Sequence, residues 1–213
     1  MLDIDFAQLL IAFIVLLFSL TVHESSHAFA ADRLGDPTAR LLGRVSLNPL
    51  VHADLIGTVV FPLLAMVSGL PLIGWAKPVP VVVSRLRRMR RDYVLVAAAG
   101  PASNLALAIV AAVLLRLLTV SPVTLGEPNV SAPLATILSG AVRINVLLAI
   151  FNMIPIPPLD GGNVVGGLLP VPAARHYDRL RPYGFMLLYG LMLSGGLEYL
   201  VAPPYYHVVG WLQ

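Results

Sequence analysis

Apolar residues fall in long runs along this chain, and polar residues gather in the gaps between them. The first run extends from Leu2 to about Ala31 and carries no charge between Phe6 and Val22. A helix needs ~20 consecutive apolar residues to cross a bilayer core, so this run predicts a transmembrane span. Tyr93 to Leu118, Leu134 to Ile154 and about Tyr183 to Val201 predict three more. Leu55 to Ile73 is also near span length, but Gly57, Pro62, Gly69 and Pro71 interrupt it. Such interruption suits a re-entrant segment or a hairpin as well as a span. Gly43-Arg44-Val45-Ser46-Leu47 and Val79–Val83 predict short extended segments, the first closed by the turn-forming Asn48-Pro49. Residues 163–182 read as amphipathic and basic, and no internal repeat is visible. The pattern predicts an all-α polytopic membrane protein. It would have about four transmembrane helices plus the 55–73 element, in a single integral membrane domain over residues 1–213.

Composition strengthens this picture. Only 12% of the 213 residues are charged, against roughly 25% in soluble domains, and mean hydropathy is +0.85. No cysteine is present, which excludes disulfides and thiolate ligands. Any metal must be held by His, Asp or Glu. The sequence pI near 9.5 raises the question of nucleic acid. The basic residues lie beside apolar runs, however, so topology and anionic lipid explain them better. The N-terminus lacks a basic region and a small-residue cleavage site, so the first run is expected to be a retained span.

The arginines also orient the chain. Of 14 Lys and Arg residues, 12 lie in 33–91 or 175–181. The positive-inside rule puts 32–92 and 160–182 in the cytoplasm, provided that 55–73 does not cross singly. The N- and C-termini are then outside. Arg116 fits by snorkelling to the outer surface. Arg143 falls inside a span: a place near its outer end, Glu127 and Glu198 are its alternative accommodations.

The chemistry-bearing stretch is His23-Glu24-Ser25-Ser26-His27, near the inner end of the first span. Residues four apart share a helix face, so His23 and His27 can direct two imidazoles at one metal ion, with Glu24 beside them as a proton acceptor. A polar patch packing a helix bundle is the bland alternative, and a costly one within a membrane. Two histidines leave a divalent ion short of ligands, since catalytic zinc takes three protein ligands and a water. Asp32, His52, Asp54 and Asp160 are the candidates. Asp160 is preferred, because Pro155, Pro157 and Pro158 unwind the chain before it and Gly161-Gly162 permits close backbone approach. A helix N-cap is its plainer role.

Three motifs together make a resemblance specific: His23-Glu24-Ser25-Ser26-His27, Gly100-Pro101-Ala102-Ser103-Asn104, and Asn152-x-x-Pro155-x-Pro157-x-Leu159-Asp160-Gly161. In this order they resemble the site-2 protease family of intramembrane zinc metalloproteases. Gly43–Pro49 and Gly74–Pro80 resemble its compact prokaryotic branch, and the likeness covers about residues 8–200. The resemblance implies a zinc cofactor, His23, His27 and Asp160 as ligands, and Glu24 as general base. It also implies a cytoplasm-facing site in a prokaryotic cell (inner) membrane and a transmembrane protein as substrate. A PDZ-like insertion is not expected in residues 119–133, nor a CBS-like domain after the last span.

Helical peptide bonds are shielded by their own hydrogen bonds, so a substrate must unwind. An extended substrate can add to an edge at 43–47 or 79–83. Asn104 and Asn152 are candidates for binding its freed backbone or the oxyanion; interhelical hydrogen bonding is their plainer role. His52 and Asp54 read as loop polar residues, and His176 and His207 as surface residues. Membrane lipid is an expected partner, nucleic acid is not, and a second copy of the chain is left open. A membrane metal or proton transporter is the rival reading, since intramembrane His and Asp also line ion paths, although paired inverted repeats are not visible. A catalytically dead relative is a third, against which the intact Glu24 argues.

Overall fold

The computed structural model describes residues 6–60, 76–120 and 128–213. Helix α1 runs Phe6–Arg33, 28 residues, or about 42 Å at 1.5 Å per residue. Two single-turn helices follow, α2 (Thr38–Leu41) and α3 (Pro49–His52), then a π-helical turn at Leu55–Val60 and a 3-10 turn at Val83–Arg85. The long helices α4 (Met89–Val120) and α5 (Pro128–Asn152) come next. Helices α6 (Asp160–Leu168), α7 (Val171–Asp178), α8 (Gly184–Leu193) and α9 (Gly196–Leu212) complete the chain. Among the described residues there is no strand. Residues 42–48 and 76–82 lie outside helices without forming a ladder.

Three of these helices, α1, α4 and α5, are long and apolar enough to cross a membrane, and a fourth span results if a bent pair is counted as one. That pair departs from the straight run expected at Tyr183–Val201. The segment ending at Leu193 and α9 meet at 79°. Gly195 supplies the break, with a left-handed φ of 76° that costs glycine little. The remainder of the 55–73 run, from residue 61, lies outside the described residues, as do residues 121–127 of the 119–133 linker; the linker's other residues end α4 and begin α5.

Packing is inverted relative to a water-soluble protein. Small residues fill the helix contacts: Ala108, Ala111 and Ala112 of α4 meet Val142 and Val146 of α5, with Tyr205 and Val208 of α9 against them. Large side chains face outward, including Leu10, Ile14 and Phe18 of α1 and Ile109, Val110 and Val113 of α4. Lipid is as apolar as leucine, so close backbone approach and hydrogen bonds between helices hold such a bundle together. The chain is an integral membrane protein. Arg143 is exposed on α5 and makes no ion pair with Glu198; Glu127 is outside the described residues.

The polar loops are held by specific bonds. Arg44 donates to the Val51 carbonyl at 2.7 Å and the His52 ring to the Ser46 carbonyl at 2.9 Å, which fixes the 44–52 loop. The Asn48 side chain accepts from the Leu50 N–H and caps α3. The basic cluster has a structural duty besides its charge. Arg90, in the first turn of α4, donates to the Gly167 and Leu169 carbonyls at the end of α6 and ties α4 to the helix that begins with Asp160.

Candidate active site

Two helices run antiparallel with matching four-residue spacing. Helix α1 presents Ser19, His23 and His27, and α4 presents Val96, Gly100 and Asn104. Residues spaced by four share one helix face, so the two trios meet rung by rung. The Asn104 side-chain NH2 donates to the Ser19 carbonyl at 3.3 Å. Its Oδ1 lies 2.6 Å from His23 Nδ1. His27 Nδ1 lies 2.7 Å from the Val96 carbonyl. Gly100 occupies the middle rung, and only glycine fits there. A Cβ on it would fall 2.5 Å from His23 Nε2 and closer still to His27 Nε2.

The third element is the start of α6. After α5 ends at Asn152, residues 153–159 form a non-helical turn containing a cis Pro157-Pro158 bond. Gly161 and Gly162 let α6 pack directly on this turn: added Cβ atoms would run into the Met153 carbonyl and the Pro157 backbone. Asp160, the first residue of α6, is thereby aimed at α1. It is not the cap of that helix, since the N-cap position belongs to Leu159.

Three atoms therefore converge. Asp160 Oδ2 lies 3.0 Å from His23 Nε2 and 3.3 Å from His27 Nε2, and the two nitrogens are 3.0 Å apart. The proton positions follow from the partners. A backbone carbonyl only accepts, so His27 carries its hydrogen on Nδ1, facing Val96. Asn104 uses its NH2 on the Ser19 carbonyl and turns its oxygen to His23, whose hydrogen is then also on Nδ1. Both Nε2 atoms present lone pairs. Asp160 Oδ2 accordingly finds no hydrogen-bond donor although it is buried. Three acceptors facing one another at 3.0–3.3 Å repel unless a cation lies among them. Ligands 2.0–2.1 Å from a tetrahedral zinc are spaced about 3.3 Å apart. The donor set, the orphaned carboxylate oxygen and the space kept clear at Gly100 all fit such an ion. Among the described residues this is the one cluster with such ligand spacing.

Glu24 lies on the flank of the histidine pair. Its Oε2 accepts from the Val79 N–H at 3.2 Å, and Val79 carries the sole N–H of Pro78-Val79-Pro80. On the other flank is an open, mainly apolar groove of about 310 Å³, lined by Val22, Ser26, Phe29, Val45, Leu47 and Ala99.

The remaining candidates are elsewhere. Asp32 is ion-paired with Arg40 at 2.8 Å. Asp54 caps the 55–60 turn by accepting from the Ile56 and Gly57 N–H groups, and His52 is buried in its own loop. Asn104 is fully buried, with its amide committed to His23, Ser19 and Asn145. Asn152 donates to the Leu148 carbonyl of its own helix. Sequence reasoning missed Gly100 as a wall of the site, and it missed Ser19, Asn145 and the Val96 carbonyl. The four-residue spacing of Gly100 and Asn104 was the available signal for the first; a backbone carbonyl leaves none.

The chain matches the model of Peptidase family M50 over residues 11–193. It is 35% identical over 190 residues to "Putative zinc metalloprotease YwhC" of Bacillus subtilis, covering 89% of this chain and 83% of that protein. Two proteins with the same description, both called Rip2, are each 29% identical. The match covers 85% of this chain and 66% of the Mycolicibacterium smegmatis protein, and 92% of this chain and 70% of the Mycobacterium tuberculosis one. No solved structure matches the chain. With this match and this site in hand, the chain belongs to peptidase family M50, the site-2 protease family of intramembrane zinc metalloproteases.

Proposed function

We propose that the protein cleaves peptide bonds in or near transmembrane segments of other membrane proteins, with zinc held by His23, His27 and Asp160 and with Glu24 as general base. One observation carries the ligand assignment: three acceptor atoms meet within 3.3 Å, and the buried Asp160 oxygen among them lacks a donor. Held by His23, His27 and Asp160, zinc would supply Lewis-acid polarisation of the scissile carbonyl and a more acidic water. Glu24 takes the proton from the attacking water and returns it to the leaving amine. The Val79 N–H holds the Glu24 carboxylate in its orientation. The apolar groove along Val45, Leu47 and Phe29 receives side chains of the unwound substrate. No feature of the described residues favours ion transport.

The distribution of Lys and Arg supports a site opening toward the cytoplasm. The site's position near the arginine-rich end of α1 and α4 is in keeping with that.

The test uses purified protein in proteoliposomes with a model transmembrane substrate. Wild type is expected to hold one zinc per chain and to cleave. Glu24→Gln should keep zinc and lose roughly 10²–10⁴-fold in rate, the range of general-base catalysis. Asp160→Asn should lose zinc. Equal cleavage by wild type and Glu24→Gln overturns the mechanism.

A further inference from the structure

A buried chain of hydrogen bonds extends from the zinc-binding cluster into α5, and no residue beyond Asn104 in it has a role in the reaction as described. Asn145 of α5 is 2% exposed and Asn104 and Ser19 are 1% exposed or less. The Asn145 side-chain NH2 donates to the Ala141 carbonyl and to Ser19 Oγ, each at 2.9 Å. Its Oδ1 accepts from the Asn104 NH2 at 2.9 Å. Asn104 Oδ1 in turn accepts from His23 Nδ1.

The direction of every amide in this chain is set by a group that cannot be reversed. The Ala141 carbonyl only accepts, so Asn145 must turn its NH2 to it and its oxygen to Asn104. The Ser19 carbonyl only accepts, so Asn104 must turn its NH2 to that and to Asn145. One orientation of the Asn104 amide remains, with oxygen toward His23. If that amide flipped, two donors would face each other at Nδ1. His23 would then have to carry its hydrogen on Nε2, and a protonated Nε2 cannot bind a metal.

We propose that Asn145, with Ser19, is a positioning residue for the zinc site: it locks the Asn104 amide and thereby the His23 tautomer that exposes the Nε2 lone pair. The inference rests on His23 being a zinc ligand. It assigns α5, which contributes no ligand, a direct share in metal affinity. Partners behind a metal-ligating histidine typically change affinity by about 10–100-fold when removed.

The experiment measures zinc release into excess chelator from the detergent-solubilised full chain. It also measures the melting temperature of the zinc-free protein and the 15N shifts of the histidine rings in that form. Asn145→Leu matches the asparagine in size and accepts nothing. It is expected to release zinc about 10–100-fold faster and to show His23 signal from the Nε2–H tautomer, with zinc-free melting close to wild type. Asn145→Asp keeps an acceptor facing Asn104 but loses the NH2 given to the Ala141 carbonyl and Ser19 Oγ, so it should release zinc more slowly than Asn145→Leu but faster than wild type. Ser19→Ala is the milder second variant, for use if Asn145→Leu does not fold; it should speed release several-fold. Wild-type release rates and ring shifts in the Leu and Ala variants overturn the proposal. So does a melting loss equal in zinc-free and zinc-loaded protein with release unchanged, because that marks a purely structural contact. His23→Ala serves as the control: if it retains zinc as wild type does, the ligand assignment itself fails, independently of the amide chain.

Discussion

Gly100 of α4 faces His27 of α1 so closely that the site has no room for a single added methyl group between them. That methyl would lie 2.5 Å from His23 Nε2 and closer still to His27 Nε2, in collision with both metal-facing nitrogens. Gly100→Ala should therefore abolish zinc binding and lower cleavage by more than the ~100-fold of ordinary outer-shell changes. Metal content per purified chain, alongside the rate, checks this; an alanine variant with one zinc and normal turnover contradicts it.

Glu24 depends on a backbone donor that a side-chain substitution cannot remove, except by proline. Val79→Pro deletes the N–H that faces Oε2. A hydrogen bond to a charged group is worth about 1.5–3 kcal/mol, so kcat should fall about 10- to 100-fold with zinc content unchanged. Val79→Ala keeps the N–H and should stay within about twofold of wild type. Similar rates for the proline and alanine variants would remove Val79 from the account.

The groove beside the histidines is apolar, and Leu47 on its rim is 63% exposed. Leu47→Asp places a charge where a substrate side chain would have to lose water. KM should rise about 10-fold while zinc release stays unchanged. A shift in kcat alone would mean that the substrate does not use this groove.

Asp36, just beyond the end of α1, is fully buried. Burial pushes its carboxyl up, but hydrogen bonds from the Thr38 hydroxyl, the Val82 N–H and the Thr38 N–H, together with the charge of Arg85, outweigh this and hold it below the ordinary 3.8. A lowered folded value means that the unfolded chain binds the proton more readily. The stability from Asp36 is thus complete above pH 3.8 and drains away as pH falls through the lower folded value. Asp36→Asn should cost about 2 kcal/mol near neutrality, and its deficit against wild type should narrow below pH 3.8 in acid-unfolding curves. A constant deficit at all pH values would refute the charge-based account.

Much of this architecture was legible in the residues. The apolar runs marked α1, α4 and α5 because bilayer thickness dictates their length, with ends displaced by a few residues where Met89 and Pro128 begin their helices earlier than the hydrophobicity does. The i, i+4 spacing of His23 and His27 and the unwinding prolines before Asp160 pointed to groups that the fold brings within 3.3 Å. What could not be read was any relation created by two helices meeting. Ser19 and Asn145 are ordinary polar residues in apolar stretches until α1, α4 and α5 pack. Val96 contributes only a carbonyl, which every residue has. The 79° break after Leu193 was hidden for another reason: Ser194-Gly195-Gly196 is compatible with a continuous apolar run, and it is the αL backbone at Gly195 that turns it.

Asp160 arrives late in the chain, and this has a consequence for synthesis. When α1 and α4 have entered the membrane, the ribosome has yet to supply Asp160, and a nascent chain that needs this carboxylate to hold zinc, as proposed above, has no working blade. On that proposal, cutting power is acquired only once Asp160 has been made and α6 has docked. The order of residues along the polypeptide would then work as a safety catch on a hydrolase inserted among the membrane proteins proposed as its substrates.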